Sequence, residues 1–194
     1  YMSRLWDEYM RLYGTQMPVD VWQIHTYFSP EKRNSWGIDI PAGIDDVTVG
    51  MFYYGDGDSR NTTVNKDVSY VPTMVQAFRS WMKERGQQNK PLFITEFGVS
   101  MPDWVLEGEF TPERIRDEYM IPGLSYLLQQ TDTSLGYPAD EYHLVQSVWW
   151  WSFDGDGGDY EEGKFYQYFN GNLFWSGIGY PTHSPNSKGI STLG

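Results

Sequence analysis

One carboxylate closes a short apolar run in this chain: Pro91-Leu92-Phe93-Ile94-Thr95-Glu96-Phe97-Gly98. A run of four apolar or β-branched residues bounded by Pro and Gly reads as a strand buried on both faces, as in parallel sheets. A carboxylate at the end of such a strand sits at the rim where α/β barrels place their catalytic groups. Keeping it ionised requires hydrogen bonds or nearby charge, since burying even a neutral polar group unpartnered costs about 2–7 kcal/mol. The chemistry open to Glu96 is that of a nucleophile or a proton-transfer base. The same position also suits a structural glutamate that caps a loop or pairs with an arginine.

The segments around this strand supply its frame. Leu5, Trp6, Tyr9, Met10, Leu12 and Tyr13 recur at helical spacing between Ser3 and Tyr13, and Gly14 follows as a stop. Val19 to Phe28 alternates apolar and polar residues and is rich in β-formers, which predicts a strand carrying His25 and Tyr27. Val68 to Arg85 returns to helix, with Met74, Val75, Phe78, Trp81 and Met82 on one face and Gly86 at its end. A further helix runs from a Thr111 cap, with Pro112 in its first turn, to about Gln130. Tyr142 to Trp151 reads as a third strand. Strands alternating with helices imply βαβ crossovers and a parallel α/β sheet. The stretch from Ser29 to Asn65 is long and irregular, as functional or disordered loops are.

Composition narrows the function classes. The 194 residues fit one domain, 1–194, with no internal repeat or linker. A formal charge of −12 argues against nucleic acid or an anionic membrane as partner. No run approaches the roughly 18 apolar residues of a membrane span, and no basic, apolar leader opens the chain. The chain starts with Tyr, so the compartment stays open, secretion included. Cysteine is absent, which excludes disulfides and thiolate metal sites. The outlier is aromatic content, 9 Trp, 15 Tyr and 10 Phe. Flat apolar faces with polar handles suit stacking on sugar rings or bases, and the acidic charge favours carbohydrate.

Three strand ends together resemble one family. Ile94-Thr95-Glu96-Phe97-Gly98 is similar to the seventh barrel strand of clan A retaining glycoside hydrolases, the cellulase-like (β/α)8 enzymes. Val21-Trp22-Gln23-Ile24-His25-Thr26-Tyr27 resembles their sixth strand, and Ser147-Val148-Trp149-Trp150-Trp151-Ser152-Phe153 their eighth. The resemblance implies a partial (β/α)8 TIM barrel, roughly strands 6–8 with their helices and long βα loops. A full barrel needs about 250 residues, so it also implies a C-terminal portion of a larger catalytic domain, or a half-barrel completed by another chain or a copy of this one.

The implied activity is retaining hydrolysis of a β-linked poly- or oligosaccharide, without cofactor or metal. Two carboxyl groups about 5–5.5 Å apart do this work. By the resemblance Glu96 is the nucleophile, Tyr27 donates to its oxygen, and His25 orients it or binds a substrate hydroxyl. The general acid/base has no counterpart in this chain. Trp151, Trp149 and Trp104 are the implied sugar contacts, with Trp151 nearest its strand end. Without that frame, His25 also fits a satisfied structural histidine, and Trp149 and Trp150 fit core positions. A non-catalytic carbohydrate-binding barrel is the competing reading.

Other acidic clusters are weaker signals. Asp154, Asp156, Asp159 and Glu161 have calcium-compatible oxygens, but their spacing misses the EF-hand pattern and fits a solvated loop. Asp56 and Asp58 fall in the same category. Asn61-Thr62-Thr63 is a glycosylation sequon, meaningful only in a eukaryotic secreted protein.

Overall fold

A computed structural model of the chain describes residues 1–27, 40–41, 67–99 and 114–150. The chain divides into two compact units, residues 1–20 with 28–61 and residues 21–27 with 62–194. In the first unit, helix α1 (Met2–Tyr13) buries Trp6. Gly14, at φ 68, ends it with an amide hydrogen bond to the Met10 carbonyl, a left-handed stop that costs glycine nothing. On its exposed side Arg11 donates to Glu8 at 2.7 Å.

The second unit is built on a three-stranded sheet of β1 (Trp22–His25), β2 (Leu92–Phe97) and β3 (Ser147–Trp150). The order is β1-β2-β3 and both pairings are parallel. Helix α2 (Tyr70–Glu84) connects β1 to β2. A π-helical segment (Ile115–Met120) running into α3 (Ile121–Gln129) connects β2 to β3. The alternation expected from sequence is therefore present, with shorter paired strands. The first strand pairs from Trp22 to His25 rather than from Val19 to Phe28, and the third begins at Ser147 rather than Tyr142. The last helix departs from regular α geometry where Pro122 enters it. Proline lacks an amide donor and its ring crowds the carbonyl four residues earlier, a misfit that a wider turn relieves.

Both helices lie on one face of the sheet. Trp22 sets its edge against Phe78 and Trp81 of α2, with centroids 6.0 and 5.1 Å apart. Phe97 stacks on Tyr119 at 5.3 Å and meets the edge of Trp150 at 5.4 Å. Leu92 and Ile94 are fully buried with Val71, Val75 and Met82 of α2 and with Ile115 and Leu127. Each such aliphatic contributes about 1.5–3 kcal/mol relative to exposure. The opposite face carries Gln23, Phe93 and Thr95, partly exposed, and Trp149, 48% exposed. There the Thr95 hydroxyl donates to Gln23 Oε1 at 2.6 Å, and Phe93 packs edge-on against Trp149 at 5.6 Å.

Helix α2 also buries a charge. Arg79 lies on the same stripe as Val71, Val75 and Met82, and its side chain is fully enclosed. Its guanidinium donates to Leu144 O at 2.7 Å, Lys90 O at 3.0 Å and Gln146 Oε1 at 2.6 Å. Burial lowers its pKa to about 10, against an opposing pull from Asp140, so it stays protonated at neutral pH. The Gln146 amide continues the network: its oxygen accepts from the Leu92 amide at 2.8 Å, and its nitrogen donates to His143 O at 2.9 Å. One side chain thus joins α2 to the beginnings of β2 and β3.

The turn before β3 is tight. The amides of Ser134 and Leu135 donate to Asp132 Oδ1 at 2.7 and 3.2 Å. The Ser134 hydrogen bonds hold the Asp132 carboxyl below its ordinary pKa. Glu141 and Tyr142 take positive φ, 48 and 63. Gly136 packs so closely under the Tyr142 carbonyl that a Cβ has no room there. Arg79→Leu should remove all three bonds and leave their acceptors buried. A loss of about 3 kcal/mol in urea unfolding is expected, and a change below about 1 kcal/mol would show that this network adds little.

Candidate functional site

The strands set the geometry at the carboxyl end of the sheet. Trp22 pairs with Leu92, Gln23 with Phe93 and Ile24 with Ile94, but the next pair is His25 with Glu96. On the other side Ile94 pairs with Val148, and Phe97 with Trp150. Measured against either neighbour, β2 therefore carries one extra residue between Ile94 and Phe97. An extra residue of this kind re-aims the side chains after it.

The consequence falls on Glu96. Strict alternation from Leu92 and Ile94 would place it under the helices, where an ionised carboxylate costs several kcal/mol. The extra residue inverts the alternation. Phe97 takes the buried position instead, and Glu96 joins Thr95 on the side away from the helices. Its carboxylate then stands 3.5 Å (Oε2) from Nδ1 of His25, with side-chain exposures of 25% and 46% respectively. This contact is an ion pair when the imidazole is protonated.

Tyr27 behaves differently from expectation. Its ring lies 6.3 Å from that of His25, at 67°. Its hydroxyl is buried and has no hydrogen-bond partner among the described residues, so the expected donation to Glu96 is not made. The reason is local: β1 stops pairing at His25, Thr26 turns to the Glu96 carbonyl, and Tyr27 is carried past the last paired residue. Burial, followed by the Glu96 and Tyr119 charges, pushes the phenol far above its ordinary pKa and keeps it neutral.

Of the aromatic candidates, Trp149 lies on the face shared with Phe93, and both offer ring surface there. Trp150 packs against Phe97 on the helix side. Trp151, Trp104, Asp56, Asp58, the 154–162 acidic loop and the sequon at Asn61 lie outside the described residues. Among the described residues no group of three or more His, Asp or Glu is placed to hold a metal ion. Among them, too, no helix is long and apolar enough to cross a membrane.

Thr26 was absent from the sequence-based site. It is fully buried, and its amide and hydroxyl both donate to the Glu96 carbonyl, at 3.1 and 3.3 Å. A signal was present: alternation from His25 turns Thr26 toward the helices, and a hydroxyl there needs a buried partner.

The site rests on close helix approach. A Cβ on Gly123 of α3 would collide with the Phe97 ring and come within 3.1 Å of Val68 Cγ2. Because Phe97 is clamped between Tyr119 and Trp150, it has little room to yield. Gly123→Ala should destabilise by about 1–3 kcal/mol in chemical denaturation; an unchanged midpoint would refute the tight contact. Comparison of the chain with protein-family models, with curated proteins and with solved structures returns no match.

Proposed function

We propose that the chain carries strands six to eight of a (β/α)8 barrel and the nucleophile of a retaining glycoside hydrolase that cleaves β-linked poly- or oligosaccharides. The observation that supports this best is the Glu96 carboxylate, on the middle strand of a parallel sheet, turned from the helix side to stand beside His25. Carboxyl ends of barrel strands are where this architecture places its chemistry.

In this reading Glu96 attacks the anomeric carbon as the glycosidic C–O bond breaks, and a second carboxyl group protonates the leaving oxygen. Water then adds to the anomeric carbon, gives its proton to that second group and releases Glu96. His25 holds the attacking carboxylate in place. Trp149 with Phe93 offers an aromatic surface on which a sugar ring can stack. The acid/base group is assigned to no described residue and belongs, by the resemblance, to the fourth strand of a complete barrel.

The second reading is a sheet that binds carbohydrate without cleaving it; the exposed Trp149–Phe93 pair favours it, since binding needs no acid/base partner. Glu96→Gln distinguishes the two. Under the first reading, reducing-sugar release falls on the order of a thousandfold or more; hydrolysis within a few-fold of wild type eliminates Glu96 as nucleophile. Under the second, cello- or manno-oligosaccharides quench tryptophan fluorescence in wild type and variant alike, without product.

The barrel assignment also predicts association. Among the described residues β1 and β3 each pair on one side only, and proteins seldom leave such edges bare. Sedimentation should find the chain bound to complementary barrel strands or to a copy of itself. A stable monomer that melts cooperatively would argue against this assignment.

A further inference from the structure

We propose that Thr26 is a positioning residue that locks the extra residue of β2 in place and so decides which face Glu96 occupies. The inference rests on the hydrolase reading only for its kinetic consequence. Its structural part stands on the hydrogen bonds alone.

An extra residue can in principle sit at neighbouring positions along a strand, and moving it by one exchanges the faces of the side chains it passes. Slipped by one, β2 would send Glu96 under the helices and Phe97 out. The Glu96 carbonyl is held against that slip by two donors from one residue, the Thr26 amide at 3.1 Å and the Thr26 hydroxyl at 3.3 Å. An amide alone is available from any residue type; the hydroxyl is specific to this one. Beyond it the end of the sheet is closed by Tyr119 of the π-helical segment. Tyr119 in turn stacks on Phe97, the residue whose burial forces Glu96 outward. Thr26 is wholly enclosed, at 0% exposure, so water does not compete for its two bonds to Glu96.

Thr26→Val removes the hydroxyl and keeps the shape, Thr26→Ser keeps the hydroxyl, and Thr26→Ala removes it with a smaller side chain. In the full chain the first readout is the His25 ring C–H resonance by NMR, which Glu96→Gln should displace. Thr26→Val and Thr26→Ala are expected to displace it in the same direction, and Thr26→Ser to leave it near the wild-type position. The proposal is overturned if Thr26→Val folds with that resonance unmoved, or if Ser and Val behave alike. Should Thr26→Val fail to fold, Thr26→Ala against Thr26→Ser gives the same decision. Where hydrolysis is measurable, Thr26→Val should lower kcat roughly ten- to a hundredfold with KM within about twofold, and Ser should restore it. Hydrolysis that survives Glu96→Gln would remove the catalytic reading while leaving the resonance test intact.

Discussion

A guanidinium enclosed among apolar side chains is the constraint around which the sheet is assembled. Burying a charge costs several kcal/mol unless its donors are met, and Arg79 meets them with acceptors from residues ahead of β2 and β3. Those acceptors lie 11 to 67 residues away in sequence. The three bonds form together only when α2 lies across the starts of both strands at once. Hydrophobic contact alone would allow the helix to slide; fixed donors aimed at fixed acceptors do not. Gln146 extends the same logic, spending its amide on Leu92, His143 and Arg79 together.

The opposite end of the sheet resolves a conflict between packing and chemistry. The helices pack against an aromatic ring at the end of β2, and a carboxylate avoids desolvation only on the open face. Regular alternation from Leu92 would bury Glu96 and expose Phe97. One additional residue reverses the assignment for both. The arrangement is sustained from outside the strand, by Thr26 on β1's continuation and by Tyr119 and Gly123, which pack closely against the Phe97 ring. A rigid start and a clamped finish thus hold one acidic side chain beside one histidine.

Much of this was readable from the chain. Helical spacing with glycine stops located α1 and α2, and the second stop is a full C-terminal motif: Gly86 at φ 68, with the Gly86 and Gln87 amides bonded to Lys83 O and Met82 O. The run ending in Glu96 was recognisable as a strand, and His25 as its neighbour. Other features escaped. Arg79 interrupts the apolar stripe of α2, and a charge at that position reads as surface because its partners are distant in sequence. Pro122 disturbs the last helix, a local signal that the periodicity obscured. Tyr27 was expected to reach Glu96, but reach depends on where β1 stops pairing, and that is set by β2.

The amino-acid sequence by itself determined the order and kind of the elements, because backbone propensity, capping and periodic burial act within a few residues of one another. It also determined that a carboxylate and a histidine would meet at one end of the strands. Only the tertiary structure decided the face on which Glu96 stands and the residues that keep it there. Register is a relation between strands some 70 residues apart, and a single extra residue reverses it without altering the pattern of either strand.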